Sequence, residues 1–380
     1  MCTNPKKLVR AVTAAQSVVF FEPMIDDLQR KGYEIISVSS AGSQLDRLRG
    51  KGVRVIEVDM YRRFSPINDL KSLWRLIQVF REEKPYMVHS MTPKAGTLCM
   101  LAAWITRVPR RVHTFTGLVW PTSTGLSRKI LMFSDWLTCM CATHVIPEGR
   151  GVLNDLRLHI TRKPMRVLGY GNVRGVDLDH WQISNAPKDK VASIRNEALF
   201  TFVFVGRIVK DKGINELVVA FEKTHEVYPQ TRLFLVGTFE SDIDPISSIT
   251  LDKIENSLAI EAVGPQYGND LLAYYAASDC FVFPSYREGF PNTVLEAGAM
   301  GLPSIVTDIN GSNEIIENGK NGIIVPSKDS ESLFVAMKGM IEDEKQRQRM
   351  KSNARPMIAS RFEQSYVKKC LLDFYDDISV

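Results

Sequence analysis

Short apolar runs alternate with longer stretches in which apolar residues recur every three or four positions, from one end of the chain to the other. In the first half, runs at 8–13, 34–39, 53–58, 87–90, 111–115 and 144–146 read as strands, with helical spacing over 25–31, 45–51, 69–83 and 97–106 between them. The second half repeats the grammar, with strand runs at 200–205, 232–236, 280–283, 303–306 and 322–325. Near-continuous β-branched and aromatic runs suit parallel strands buried on both faces. Strands alternating with helices predict an α/β fold of doubly wound parallel sheets. At 380 residues the chain exceeds one ordinary core. The glycine-rich stretch Gly169-Tyr170-Gly171-Asn172-Val173-Arg174-Gly175 marks a break. The expected organisation is one domain over 1–170, a linker over 171–186, a second domain over 187–360 and an amphipathic helical tail over 361–380.

The chemistry concentrates between residues 200 and 300. The run ending at Val205 meets Gly206, so Arg207 falls at the carboxyl end of a buried strand, where open α/β sheets bind ligands. Lys212 follows five residues on, before Gly213 and an amphipathic pattern. A guanidinium fork and an ammonium at a helix entrance suit a diphosphate, although two solvated loop cations would read the same way. A second strand, 280–283, leads into the turn Glu288-Gly289-Phe290-Pro291. Asn292 then reads as a helix N-cap, with Thr293, Val294 and Leu295 opening the helix and Glu296 in its first turn. Free N–H groups at such a start form an anion site. Glu288 and Glu296 suit sugar hydroxyls, one on a donor sugar and one on a ribose; the alternative for Glu296 is a residue that merely complements the helix dipole.

The front half offers His113 at a strand end before Thr114-Phe115-Thr116-Gly117, with His89 and Lys94 near a neighbouring strand end. His113 is expected to face a cleft; a buried histidine satisfied by the backbone is the other reading. Lys94 opens a helical segment and suits an acceptor diphosphate or plain solvent. Trp120, Pro121, Leu126, Ile130, Leu131, Phe133 and Trp136 interleave with Arg128 and Lys129, and Arg62-Arg63-Phe64 forms a second cluster. Such mixtures suit a membrane interface or ordinary packing. Charge is unevenly divided: residues 1–180 hold 27 Lys and Arg against 15 Asp and Glu, a balance of +12, while residues 181–380 hold 21 against 28, a balance of −7. The basic front half calls for an anionic partner: lipid headgroups, a diphosphate-bearing acceptor or nucleic acid. No recognition-helix or stacking-platform pattern supports nucleic acid, so none is expected.

The six cysteines are scattered and carry no C-x-x-C spacing, which predicts a reducing compartment without disulfides. No apolar stretch reaches the ~20 residues of a membrane span, and the N-terminus reads as a strand, so a cytoplasmic location is expected. Asp177-Leu178-Asp179 and Asp242-Ile243-Asp244 match a bare D-x-D pattern without carboxylate-rich surroundings, and no metal or other cofactor is expected.

Gly206-Arg207 with Lys212, the Glu288-x7-Glu296 block inside Glu-Gly-Phe-Pro-Asn, and His113 resemble glycosyltransferase family 4, the retaining enzymes of the two-domain GT-B fold. The front half, especially His89-Ser90-Met91-Thr92-Pro93-Lys94-Ala95-Gly96, is similar to bacterial enzymes of capsule, O-antigen and lipid-linked glycan assembly. The resemblance covers nearly the whole chain. It implies two Rossmann-like domains facing a central cleft, with the last helix crossing back to the first domain. It implies transfer of a hexosyl or N-acetylhexosaminyl group from a nucleotide-diphosphate-sugar, a UDP-sugar favoured, to a glycan or polyprenyl-diphosphate-linked acceptor. Glu288, His113, Arg207 and Lys212 would be catalytic. Gly206, Val263, Gly264, Gly289, Phe290, Pro291, Asn292, Thr293, Val294 and Glu296 would help hold the donor, with Val263 and Gly264 beside the base. His89, Lys94 and Ser17 would meet the acceptor, and the enzyme would sit peripherally on the inner face of an anionic membrane. One departure stands out: many family members carry a glycine pair after the first strand, whereas this chain has Thr13-Ala14-Ala15-Gln16-Ser17. Two other activities fit parts of this reading, a nucleotide-sugar epimerase and, more remotely, a nucleic-acid glucosyltransferase.

Overall fold

The computed structural model describes residues 6–61, 65–240, 242 and 244–379. They form two compact units, Met1–Gly175 with Ser365–Val380, and Val176–Gln364.

The first unit is built on six parallel strands: β1 (Lys6–Ala11), β2 (Tyr33–Ser39), β3 (Arg54–Glu57), β4 (Met87–Met91), β5 (Arg110–Phe115) and β6 (His144–Pro147). Their order is β3-β2-β1-β4-β5-β6. The chain starts in the middle, winds to one edge, returns and winds to the other, so the strand order reverses between β1 and β4. Successive strand side chains point to opposite faces. Leu8 and Val9 therefore enter different cores. One face is covered by the helices Pro66–Glu83, Pro93–Ile105 and Gly125–Cys141. The other is covered partly by the terminal helix Gln364–Asp377, which buries Leu371, Phe374 and Tyr375 against Leu8, Phe21 and Val112.

The second unit repeats the plan with β7 (Phe200–Val205), β8 (Thr231–Val236), β9 (Ile260–Gly264), β10 (Cys280–Phe283), β11 (Ser304–Thr307) and β12 (Gly322–Val325). Their order is β12-β11-β10-β7-β8-β9, with the reversal between β7 and β10. Phe202, Phe204, Phe281 and Phe283 fill the centre of this sheet, fully buried.

Two boundaries differ from expectation. The stretch 171–186 is not a free linker: the units divide at Gly175, and Val176, Trp181 and Ala186 lie in the core of the second. Val176 runs beside the returning chain, donating its N–H to the Phe362 carbonyl (2.8 Å) and accepting from the Gln364 N–H (3.0 Å). The tail is not one helix from 361. A helix over Glu344–Phe362 ends at Glu363, whose ψ of 137° is extended, and Gln364–Asp377 then begins. Among the described residues, no helix is long and apolar enough to cross a membrane. The five described cysteines are free thiols.

Candidate active site

In open α/β sheets, ligands bind outside the carboxyl ends of the strands where the strand order reverses. In the second unit that point lies between β7 and β10, and Arg207, Lys212 and Glu288 gather there. Their loops are fastened by backbone. Gly213 has φ +72°, and a Cβ on it would stand 2.0 Å from the Pro284 carbonyl oxygen, so only glycine lets the two loops touch. The Tyr286 N–H donates to the Asp211 carbonyl (2.8 Å). Arg287 directs Nε (2.9 Å) and Nη2 (2.8 Å) at Asp211 Oδ2. A third loop closes in: a Cβ on Gly311, φ +76°, would stand 2.4 Å from the Gly289 carbonyl oxygen.

On this platform Lys212 Nζ pairs with Glu288 Oε1, and the Ser285 hydroxyl donates to the same carboxylate oxygen (2.7 Å). The Lys212 ammonium also lies 5.2 Å from the Phe283 ring centroid. Arg207, half-exposed just past Gly206, is paired with Glu240 (2.8 Å). Both cations are thus paired with carboxylates beside them. An incoming anion must outcompete those pairs.

Several expectations about this loop are corrected. Asn292 is not the N-cap: Pro291 holds that position and Asn292 is the first residue of the helix Asn292–Ala299. Proline at that position fits, since its missing N–H would have no helical partner. Glu296 is the fifth helical residue, past the first turn, and is buried beside Tyr275. Burial, and then the Glu296 charge, push the Tyr275 phenol well up. The Val294 N–H is taken by the Pro291 carbonyl (3.2 Å) and its side chain is in the core. Phe290 is likewise a core residue, packed on Phe362 at 5.3 Å between ring centroids. Val263 and Gly264 end β9, the edge strand, two strands from β7; the Val263 carbonyl accepts from Gln266 Nε2 (3.0 Å).

Sequence reasoning did not anticipate Glu240, the Asp211–Arg287 clamp or the pocket next to Arg207. That pocket, about 520 Å³, is apolar and lined by Ile208, Phe239, Pro245, Ile246 and Leu251 among others. Glu240 and Asp211 carried a weak signal, as acids in loops after β8 and β7. Asp244 of the second D-x-D belongs to the same fastening, its carboxylate accepting the Asp211 N–H (2.6 Å); Ile243 lies outside the described residues. Asp177 of the first accepts from its own loop, the Asp179 and His180 N–H groups (both 3.1 Å). Among the described residues no three His, Cys, Asp or Glu side chains gather as a metal ligand set.

In the first unit the reversal lies between β1 and β4. The Thr13 N–H donates to Thr92 Oγ1 (3.0 Å), and Thr13 Oγ1 accepts the Ala95 N–H (3.1 Å) at the start of the Pro93–Ile105 helix. Thr92 has φ +69°, rare for a β-branched residue. Lys94, in that first turn, is paired with Asp69 (2.5 Å). Ser17 is half-buried in a 3-10 turn, Ala15–Phe20.

The two histidines part company, because β-strand alternation sends them to opposite faces. His113 does not face a cleft as expected: it lies under the Pro93–Ile105 helix, 1% exposed, with Nδ1 hydrogen-bonded to Ser90 Oγ (2.8 Å) and its ring edge-on to Phe115. A Cβ on Gly96 would stand 2.4 Å from His113 Cε1, so glycine makes room for this ring. Burial holds the His113 pKa down at about 3. His89 faces the terminal helix, 1% exposed, bonded through Nε2 to Thr114 Oγ1 (2.7 Å) and through Nδ1 to the Tyr375 hydroxyl. Arg10 Nη1 donates to the same hydroxyl (2.6 Å). With both ring nitrogens engaged inside the core, His89 is a structural residue and its acceptor assignment is withdrawn. Trp120 is also buried, under the Arg128 guanidinium, so it leaves the interfacial group. Arg62, Arg63 and Phe64 lie outside the described residues.

Two parallel doubly wound sheets, each with its strand order reversing once, are of the Rossmann class. Residues 18–171 match the glycosyl transferase 4-like domain and residues 185–357 match glycosyl transferases group 1. The capsular polysaccharide biosynthesis glycosyltransferase CapM of Staphylococcus aureus is 31% identical over 376 residues, 98% of this chain and 97% of that protein. The UDP-Gal:alpha-D-GlcNAc-diphosphoundecaprenol alpha-1,3-galactosyltransferase of Escherichia coli is 30% identical over 330 residues, 84% of this chain and 82% of that protein. Among solved structures, a glycosyltransferase from Rickettsia africae superposes with a TM-score of 0.79 at 19% identity, covering 99% of each chain. The chain belongs to the group 1, 4-like glycosyltransferases and has their GT-B architecture of two doubly wound domains. It is a glycosyltransferase.

Proposed function

We propose that this enzyme moves a hexosyl or N-acetylhexosaminyl group from a nucleotide-diphosphate-sugar, a UDP-sugar in first place, to a glycan or polyprenyl-diphosphate-linked acceptor in surface polysaccharide assembly, with retention at the anomeric carbon. The observation that carries the reading is the meeting of Arg207, Lys212 and Glu288 at the reversal point between β7 and β10. The choice of UDP and of a lipid-borne acceptor is supported by the activity that the Escherichia coli relative is named for.

In this reading the donor diphosphate displaces Glu240 from Arg207 and Glu288 from Lys212. The two cations then stabilise the charge that grows on the leaving diphosphate, the kind of preorganised electrostatics that usually dominates catalysis. Glu288, released from Lys212, accepts from a hydroxyl of the donor sugar, and Glu296 holds the ribose. The Asn292–Ala299 helix adds its positive end. The departing phosphate oxygen takes the proton of the attacking acceptor hydroxyl on the same face, so no carboxylate base is assigned. No metal or other cofactor is assigned either; the nucleotide sugar is a substrate. Ser17 and Lys94 serve the acceptor from the first unit; His113, buried under the Pro93–Ile105 helix, is given no contact with substrate. The same reading puts the enzyme on the cytoplasmic face of the membrane, held peripherally.

The test is a screen of nucleotide sugars with and without a synthetic lipid diphosphate-linked acceptor, following nucleotide release and the anomeric configuration of the product by NMR. Release that depends on acceptor, with an α-configured product from an α-linked donor, supports the proposal. An altered sugar released from donor alone identifies an epimerase instead, and an inverted product removes the retaining assignment.

A further inference from the structure

Two helices of the first unit turn large apolar side chains to solvent. On Pro66–Glu83 they are Ile67, Leu70 and Trp74; on Gly125–Cys141 they are Leu126, Phe133 and Trp136, all between 41% and 73% exposed. The Phe133 and Trp136 rings stack on each other in the open, with centroids 5.5 Å apart. At about 100° of rotation per residue, the first three span an arc of about 60° and the second three about 80°. Each is therefore a coherent stripe, not scattered exposure. Both helices pack against Pro93–Ile105, so the stripes belong to one helical layer. Apolar patches of this kind mark contact sites.

The exposed charges on the layer are predominantly basic. Lys71, Arg75 and Lys129 are exposed among the apolar residues. Of the acids on these two helices, Asp69 is tied to Lys94, Glu83 is buried against Lys7 and Arg54, and Asp135 is buried on the inner side. Only Glu82, in the last turn, presents a carboxylate to solvent among the described residues. A two-fold contact between copies would press this surface against itself, cation against cation. An anionic bilayer matches both features: the rings and aliphatic groups sit at headgroup depth while Lys and Arg reach the phosphates.

We propose that this face of the first unit, from Ile67 to Trp74 and from Leu126 to Trp136, is where the protein lies on an anionic lipid bilayer. The proposal deepens the peripheral-membrane reading given above, but it stands on exposure and charge and is tested without reference to catalysis. The experiment is co-sedimentation of the full chain with vesicles of phosphatidylcholine alone or with phosphatidylglycerol added. The expected result is binding at least roughly tenfold stronger with the anionic lipid, weakening as salt is raised. The double variant Phe133→Ser, Trp136→Ser should lose roughly tenfold in partitioning with unchanged circular dichroism, and Lys71→Glu, Lys129→Glu should erase the preference for phosphatidylglycerol. Transfer to a water-soluble acceptor analogue should be unaltered in both. The proposal is overturned by equal binding of wild type and variants, by no binding to either vesicle, or by a wild-type dimer in light scattering that the Phe133 and Trp136 changes dissociate. If vesicle binding behaves as described but no nucleotide sugar is turned over, the proposed donor and acceptor fail and this face stands.

Discussion

Lys212 and Glu288 form an ion pair across the loops that follow β7 and β10, each about seven-eighths buried. The cation assigned to the diphosphate is thus held by the carboxylate assigned to the sugar, and donor binding must part them. Their substitutions should behave differently for that reason. Glu288→Gln releases Lys212, so affinity for the nucleotide diphosphate alone should hold or rise while turnover falls by about tenfold or more. Lys212→Met should lower both. Calorimetry with UDP and steady-state rates separate the two; identical behaviour of the two variants would show that the pair is only structural.

Arg207 faces the same competition from Glu240, but at a more exposed position. Arg207→Ala and Glu296→Ala should each reduce turnover by about tenfold or more with the fold intact. Glu240→Ala removes a competitor and should tighten nucleotide binding, modestly, because exposed pairs contribute little. Activity equal to wild type in the Arg207 variant, measured on purified protein with circular dichroism unchanged, removes its assigned role.

The loops that carry these residues depend on Gly213. Gly213→Ala forces an L-residue into φ +72° and drives its Cβ against the Pro284 carbonyl, so it should destabilise by about 2–4 kcal/mol. Gly319 offers the control: its φ is +77° but nothing stands within 4 Å of its Cβ position, so Gly319→Ala should cost only about 1 kcal/mol. Urea denaturation of both variants isolates the clash as the difference between them.

The sheets were legible in the sequence because buried parallel strands leave unbroken apolar runs, and 200–205 and 280–283 coincide with β7 and β10. Strand order was not legible, and it is order that makes β7 and β10 neighbours. Local chemistry misled where an adjacent residue competed: Pro291 took the cap from Asn292 and shifted Glu296 out of the first turn. The boundary near 170 missed because glycines mark a turn, whereas Val176 pairs with a chain nearly two hundred residues away. His89 and His113 look equivalent in sequence, each near a strand end. Only the register, Ser90 opposite His113, shows that they enter opposite cores. The ion pairs of Arg207 and Lys212 join residues 33 and 76 apart, beyond the reach of any local pattern.

Those two buried histidines also set how the protein responds to acid. Burial lowers His113 to about 3, and burial together with the Arg10 charge lowers His89 well below 6.5. In the unfolded chain both titrate near ~6.5. Below that pH the unfolded state binds protons that the folded state refuses, so stability falls, by about 1.4 kcal/mol per pH unit for each histidine. Asp135 works the other way. Burial raises its carboxyl to about 7, so the folded state binds a proton that the unfolded state does not, and stability gains as pH drops from about 7 towards ~4. The net expectation from these three groups is a loss of about 1.4 kcal/mol per unit between pH 6.5 and 5, to which His144, also lowered by burial, adds in the same direction. Asp135→Asn should steepen that slope to about twice the value, and His113→Gln should flatten it. Urea melts at half-unit intervals measure both. A wild-type slope of zero across the window, with Asp135→Asn unchanged from wild type, would show that these three groups do not titrate as their burial dictates.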